Sequence, residues 1–108
     1  MENQSEKKLK VLVVGQESFT LPFVGFGFDP YNPEENSPES LTRTLKQKEK
    51  DYDLILVAES IAATIFDYIK SREYAPDITY LIVPDGSGTS IAEELMTERI
   101  IKALGAKI

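Results

Sequence analysis

Three short stretches of the chain are apolar at nearly every position: residues 9–14 (LKVLVV), 52–58 (YDLILVA) and 78–83 (ITYLIV). Runs of this length, rich in β-branched residues and without polar alternation, predict strands buried on both faces. Between them the apolar spacing changes to three and four. Ser37-Pro38-Glu39 supplies an N-cap, a proline at the first helical position and an early acid; Leu41 and Leu45 then form a thin stripe, predicting a helix to about residue 50. Ile61, Ala62, Ile65, Phe66 and Ile69 recur at helical spacing behind Ser60, which reads as the cap of that helix. A last helix, capped by Thr89 or Ser90, runs to about Leu104, ahead of Gly105. Residues 24–28 (VGFGF) read as a short second strand thinned by two glycines, followed by an acidic, proline-punctuated loop over 29–36.

The resulting order is β-α-β-α-β-α-β-α. Apolar strands separated by helices imply an α/β fold: a parallel sheet with helices on both faces. Right-handed crossovers give a four-stranded sheet ordered 2-1-3-4. The pattern predicts one domain over 9–108, with a closing helix at about 90–104, behind a polar N-terminal extension over 1–8.

Composition narrows the chemistry. The 108 residues suit one domain with a modest core, and the net charge of −6 disfavours nucleic acid and anionic membranes as partners. Lys7, Lys8 and Lys10, and then Lys46, Lys48 and Lys50, gather no aromatics around them and read as solvated faces. The chain has no Cys and no His. It therefore has no disulfide frame, no thiol chemistry, no imidazole for zinc and no usual base for a serine-type triad. No apolar run reaches the roughly 20 residues that span a bilayer, and residues 1–8 lack an apolar signal core, so a cytoplasmic product without direct membrane insertion is expected.

One stretch invites a ligand. Residues 84–90 (PDGSGTS) join a strand to a helix start, where free amides and a partial positive charge favour anions. A Walker loop would need a Lys after its second glycine, and a dinucleotide loop would need three glycines after the first strand, where Gly15-Gln16-Glu17-Ser18 offers one. Asp85 also repels a phosphate. A flexible turn plus a helix cap explains every residue. The alternative is a small phospho-signalling or nucleotide/anion-binding domain using the loop 85–90 through Gly86, Ser87 and Gly88. Glu17 is the lone acid after the first strand, the third strand ends Val57-Ala58-Glu59-Ser60, and no Lys follows Val83. The topology is similar to that of response-regulator receivers, but their paired acids, accepting Asp and Lys are missing, and fold alone transfers no function. Tyr52, Tyr68, Tyr74 and Tyr80 are scattered as core edges are, and Glu93, Glu94 and Glu98 fall on one side of the last helix as solvated charges do.

The last helix itself is unusual. At about 100° per residue, Ile91, Ala92, Leu95, Met96, Ile100, Ala103 and Leu104 spread over an arc of about 220°, with Ile101 beyond it. A helix lying on one sheet needs a stripe little wider than about 100°. Either this helix enters a notch of its own domain or it meets another protein. Arg99 interrupts the arc and could snorkel at its edge.

Order, length and ending carry a resemblance. Gly15-Gln16-Glu17-Ser18 is a short acid-containing turn after the first strand, and Pro22-Phe23-Val24-Gly25-Phe26-Gly27 stands where a Gly-Phe-x-Leu-Ala-Gly stretch would, matching at Phe23 and Gly27 and departing at Pro22, Gly25 and Phe26. Asp53-Leu54-Ile55-Leu56-Val57 precedes an acidic helix start, Glu59-Ser60-Ile61-Ala62. Pro76-Asp77-Ile78 leads through Leu81-Ile82-Val83 to Pro84, and the tail Arg99-Ile100-Ile101-Lys102-Ala103-Leu104-Gly105 closes a helix on glycine. From about Lys10 to Ile108 the chain resembles the F subunit of the bacterial and archaeal V-type rotary ATPases. The resemblance implies a central-stalk subunit with no catalytic centre, cofactor or metal. Such a subunit grips the D subunit, the coiled-coil axle of the central stalk, and turns with it inside the catalytic A/B head, coupling ATP turnover to ion transport through the membrane rotor. It is cytoplasmic and peripheral to the membrane. The terminal helix is the usual contact in that family, which makes Ile91, Leu95, Met96, Ile100, Ile101 and Leu104 the expected grip, with Arg99 as a polar anchor.

Overall fold

The computed structural model describes residues 9–86. Within them the apolar runs become strands β1 (Val11–Val14), β3 (Leu54–Ala58) and β4 (Thr79–Val83), joined by a short strand β2 (Asp29–Tyr31). The four strands form one sheet in the order β2-β1-β3-β4, parallel throughout. The register pairs Val11 with Leu54 and Val14 with Val57, then Leu54 with Thr79 and Ala58 with Val83. The expected fold class and strand order are those observed.

The crossovers place helices on the two faces. α1 (Glu17–Val24) packs beside β1 and β2. On its side of the sheet Val11, Val13 and Leu56 are buried, with Phe19, Phe23, Phe28, Leu54 and Val83 packed against them. The opposite face is larger. Leu12, Val14, Ile55, Val57 and Tyr80 point into it, and Leu41 and Leu45 of α2 (Pro38–Lys48) cover them. Ile61 and Ala62 of α3 (Glu59–Thr64), then Ile65 and Ile69 around α4 (Phe66–Ser71), complete that layer. Because successive strand residues point to opposite faces, apolar runs such as VLVV feed both layers at once.

α2 forms as its local sequence dictates. The Ser37 hydroxyl accepts from the Ser40 amide at 3.2 Å, Pro38 stands at the first helical position, and Glu39 follows in the first turn. A single turn of 3₁₀ helix, Glu49–Asp51, then leads into β3.

Three local expectations are corrected. The second strand is not residues 24–28 but Asp29–Tyr31. Gly25 and Gly27 belong to the end of α1: Phe28 N donates to Phe23 O, Gly27 N donates to Val24 O, and Gly27 has φ +88°. That pair of bonds is a Schellman ending, which wants glycine in the left-handed region. Pro30, which a central strand would exclude, is tolerated because β2 lies at the sheet edge. The helix after β3 starts at Glu59 with no side-chain cap, so Ser60 is inside its first turn and not its cap. The same helix is interrupted at Ile65 (φ −120°, ψ 32°), which divides α3 from α4 while leaving Ile61, Ala62, Ile65 and Ile69 buried on one side. The N-terminal extension over 1–8 and the closing helix at about 90–104 lie outside the described residues.

Candidate functional site

In a sheet ordered 2-1-3-4 the chain leaves β1 toward one edge and β3 toward the other. The carboxyl ends of these two strands therefore flank the crevice where α/β proteins usually bind ligands. Here that crevice is a cavity of ≈ 290 Å³ lined by Gln16, Ser18, Phe19, Ser60, Asp85 and Gly86. Gly15, next in sequence to the lining residue Gln16, has no room for a side chain: a Cβ there would stand 2.6 Å from Phe19 Cδ2 and 3.0 Å from Ala58 Cβ.

The walls are tied together by side chains. Asn32 Nδ2 donates to Gly15 O at 2.8 Å and to Thr20 Oγ1 at 2.9 Å, and Gly15 N donates to Tyr31 O, fastening the β1–α1 turn to the end of β2. Across the crevice Asp85 Oδ2 accepts from both the amide and the hydroxyl of Ser60, at 3.1 and 2.6 Å. Glu59, only 4% exposed, lies in the first turn of α3 beside them, where the helix dipole favours an acid.

The chemistry of this crevice is that of a structural joint. Among the described residues its lining carries a carboxylate and no basic side chain, so a phosphate would meet repulsion from Asp85. Among the described residues no group of three or more His, Cys, Asp or Glu is arranged to hold a metal ion. Of the candidate anion loop, Asp85 and Gly86 are described and Ser87–Ser90 are not; Asp85 is engaged as an acceptor for Ser60.

A second polar cluster is not legible in the sequence. Glu49, at the end of α2, accepts from Tyr68 OH at 2.5 Å and Tyr80 OH at 2.6 Å through Oε2, and from Arg72 NH2 at 2.9 Å through Oε1. Its side chain is 12% exposed. Burial, then the hydrogen bond to Glu49, pushes the Tyr80 phenol well above its ordinary pKa. The same causes in the same order push Tyr68 up to about 12. Burial opposes the charge on Arg72, but the hydrogen bond and attraction of Glu49 outweigh it, and its pKa is raised. Tyr52, which donates to Asp29 Oδ2 at 2.7 Å, is raised to about 12, first by burial and then by that bond. These tyrosines are core edges, as expected, except that Tyr74 is 77% exposed. The cluster binds the end of α2 to α4 and β4. Tyr68 also lines a hollow of ≈ 420 Å³ beside Pro38, Thr42 and residues 63–67, which is separate from the crevice above β1 and β3.

The residues expected to grip a partner (Ile91, Leu95, Met96, Arg99, Ile100, Ile101 and Leu104) lie outside the described residues. The described part has apolar surface of its own. Leu21 and Val24 of α1 and Phe26 in the turn after it are exposed, Phe26 at 73%. Leu9 and, on β4, Leu81 are exposed as well. The sequence pattern hides the first group, because α1 does not stand out from the strand expected behind it. No helix among the described residues is long and apolar enough to cross a membrane.

Comparison with known proteins adds one finding. A family model described as the ATP synthase (F/14-kDa) subunit matches residues 11–100, a span that holds every described strand and helix. No curated protein matches the chain.

Proposed function

The chain belongs to the ATP synthase (F/14-kDa) subunit family, and from that premise we propose that it is the non-catalytic F subunit in the central stalk of a V-type rotary ATPase. The observation that carries the reading is the family match across residues 11–100. In this role the chain binds the D subunit, the coiled-coil axle, and turns with it, helping to couple ATP turnover in the A/B head to ion transport. The grip lies on the closing segment, through Ile91, Leu95, Met96, Ile100, Ile101 and Leu104, with Arg99 at its edge.

Two features support this reading. The apolar positions of the closing segment spread wider than one sheet face needs, by the roughly 100° criterion. The chain also lacks both residue types on which most acid–base and thiol catalysis depends, having no His and no Cys. The crevice above β1 and β3 is built around Asp85 and Ser60, which favours an internal joint over a phosphate pocket.

The test is co-expression with the coiled coil of the D subunit and gel filtration of the product. The intact chain co-elutes with the axle, and deletion of the residues after Thr97 abolishes co-elution while the shortened chain still folds by circular dichroism. An intact, folded chain that elutes apart from the axle refutes the proposal.

A further inference from the structure

Residues 21–28 read LPFVGFGF, a run without one polar side chain. The domain's own packing uses two of them: Phe23 and Phe28 lie half-buried against Val11, Val13 and Leu56. Phe28 N also donates to Phe23 O, so this pair supplies the hydrophobic contact that closes a Schellman ending. Leu21, Pro22, Val24 and Phe26 face outward and are exposed, Leu21 at 61% and Phe26 at 73%. Phe26 is held as well as exposed: its amide donates to Phe23 O at 3.0 Å, and its ring centre stands 6.0 Å from that of Phe28. An aromatic side chain fixed in this way loses little freedom on binding, which suits it as an anchor.

Single exposed apolar residues are ordinary, but a cluster of them rimmed by charge marks a docking surface. The rim here has one sign. From Val11 to Thr42 the chain carries Glu17, Asp29, Glu34, Glu35 and Glu39 and no Lys or Arg. Glu17 opens α1 and Asp29 follows the turn that ends it, both exposed, so acids stand at the two ends of the apolar face. Tyr52 OH donates to Asp29 Oδ2 at 2.7 Å and keeps that carboxylate in place. Lys10 is the one basic residue described in the hollow of ≈ 330 Å³ that Gly27 and Asp29 line, and it stands at the start of β1. We infer that the outward face of α1 and its closing turn, from Leu21 to Phe26, docks a helix of another polypeptide whose apolar stripe is bracketed by Lys or Arg. Charge selects this occupant. A second copy would bring acidic rim onto acidic rim, and an anionic membrane would be repelled. The surface is distinct in sequence from the positions expected to grip the axle, and the inference does not rest on the stalk reading.

The probe is a synthetic peptide of about 18 residues, long enough to hold a helix, with leucines at helical spacing and lysines at both ends. A second peptide carries glutamates in place of the lysines. Each is titrated into the full, isotope-labelled chain while backbone amide spectra are recorded. The lysine-ended peptide shifts the amides of residues 17–29 saturably, and the glutamate-ended peptide binds at least about tenfold more weakly. Phe26→Ser weakens binding of the lysine-ended peptide about tenfold. Its circular dichroism matches the wild type, because the side chain it removes is exposed. Should Phe26→Ser unfold the domain, Leu21→Ser takes its place with the same expected loss.

Equal binding of the two peptides, shifts confined to other parts of the chain, or no saturable shift overturns the inference. Self-association in sedimentation equilibrium that Phe26→Ser abolishes makes a second copy the occupant and overturns it as well. The same holds if deleting the residues after Thr97 moves the amides of residues 21–28 without any peptide, since the chain's own tail is then the cover. No axle enters the measurement, so its failure leaves the stalk reading standing, and failure of the chain to bind the axle leaves this surface standing.

Discussion

Replacing Glu49 with Ala should destabilise the domain more than its position at a helix end suggests. The substitution removes the common acceptor of three donors. Tyr80 suffers most. Its residue is 4% exposed, so its hydroxyl loses a partner without gaining water, at a cost of about 1–3 kcal/mol. Tyr68 is half-buried and can turn its hydroxyl partly to solvent, so its share is about 1 kcal/mol. Arg72, with 31% of its side chain exposed, keeps Asp77 at 3.9 Å; solvent screens that loss to about 0–1 kcal/mol. The total is about 3 kcal/mol, a large share of the roughly 5–15 kcal/mol that holds a typical domain together. Urea unfolding followed by circular dichroism reads it directly. With slopes of about 1–3 kcal/mol/M, the midpoint falls by about 1–3 M at unchanged slope. Glu49→Gln keeps the shape and one accepting oxygen and costs less. Tyr80→Phe, which removes one donor to a charged acceptor, costs about 1.5–3 kcal/mol. A loss below about 1 kcal/mol for Glu49→Ala would mean that Tyr80 finds another acceptor, and the reasoning about this cluster would be wrong.

Gly15→Ala places a methyl 2.6 Å from the Phe19 ring and against Ala58, so the ring must move and about 1–3 kcal/mol is lost, measured as a lower urea midpoint; an unchanged midpoint would show that α1 shifts freely on the sheet. Stability should fall in alkaline solution. The raised phenol of Tyr80 contributes fully below the unfolded value of about 10 and is lost as pH rises above it, at up to about 1.4 kcal/mol per pH unit, so denaturation series across that range should show a steeper decline in the wild type than in Tyr80→Phe. Titration calorimetry with ATP, ADP or inorganic phosphate should give no saturable heat, since Asp85 presents its charge to the only described part of the loop that could receive them; saturable binding abolished by Gly86→Val would restore the anion-loop reading.

The sequence determined what depends on neighbours within a turn or a strand's length. The apolar runs fixed β1, β3 and β4 because a strand buried on both faces has no polar alternation to blur it. Ser37 and Pro38 marked the start of α2 because capping is settled within three residues. The handedness of crossovers then left the order 2-1-3-4. Where local signals were ambiguous, tertiary structure decided. Gly25 and Gly27 fit either a weak strand or a helix ending, and only the pairing of Asp29–Tyr31 with β1 chose between them. Ser60 has the chemistry of a cap, yet it serves Asp85, and Glu49 looks like a solvated charge, yet it collects donors from residues 19, 23 and 31 positions away. No periodicity encodes such contacts. They exist because packing the two apolar layers brings distant polar groups within bonding distance, and a buried donor or acceptor without a partner costs more than the order needed to supply one.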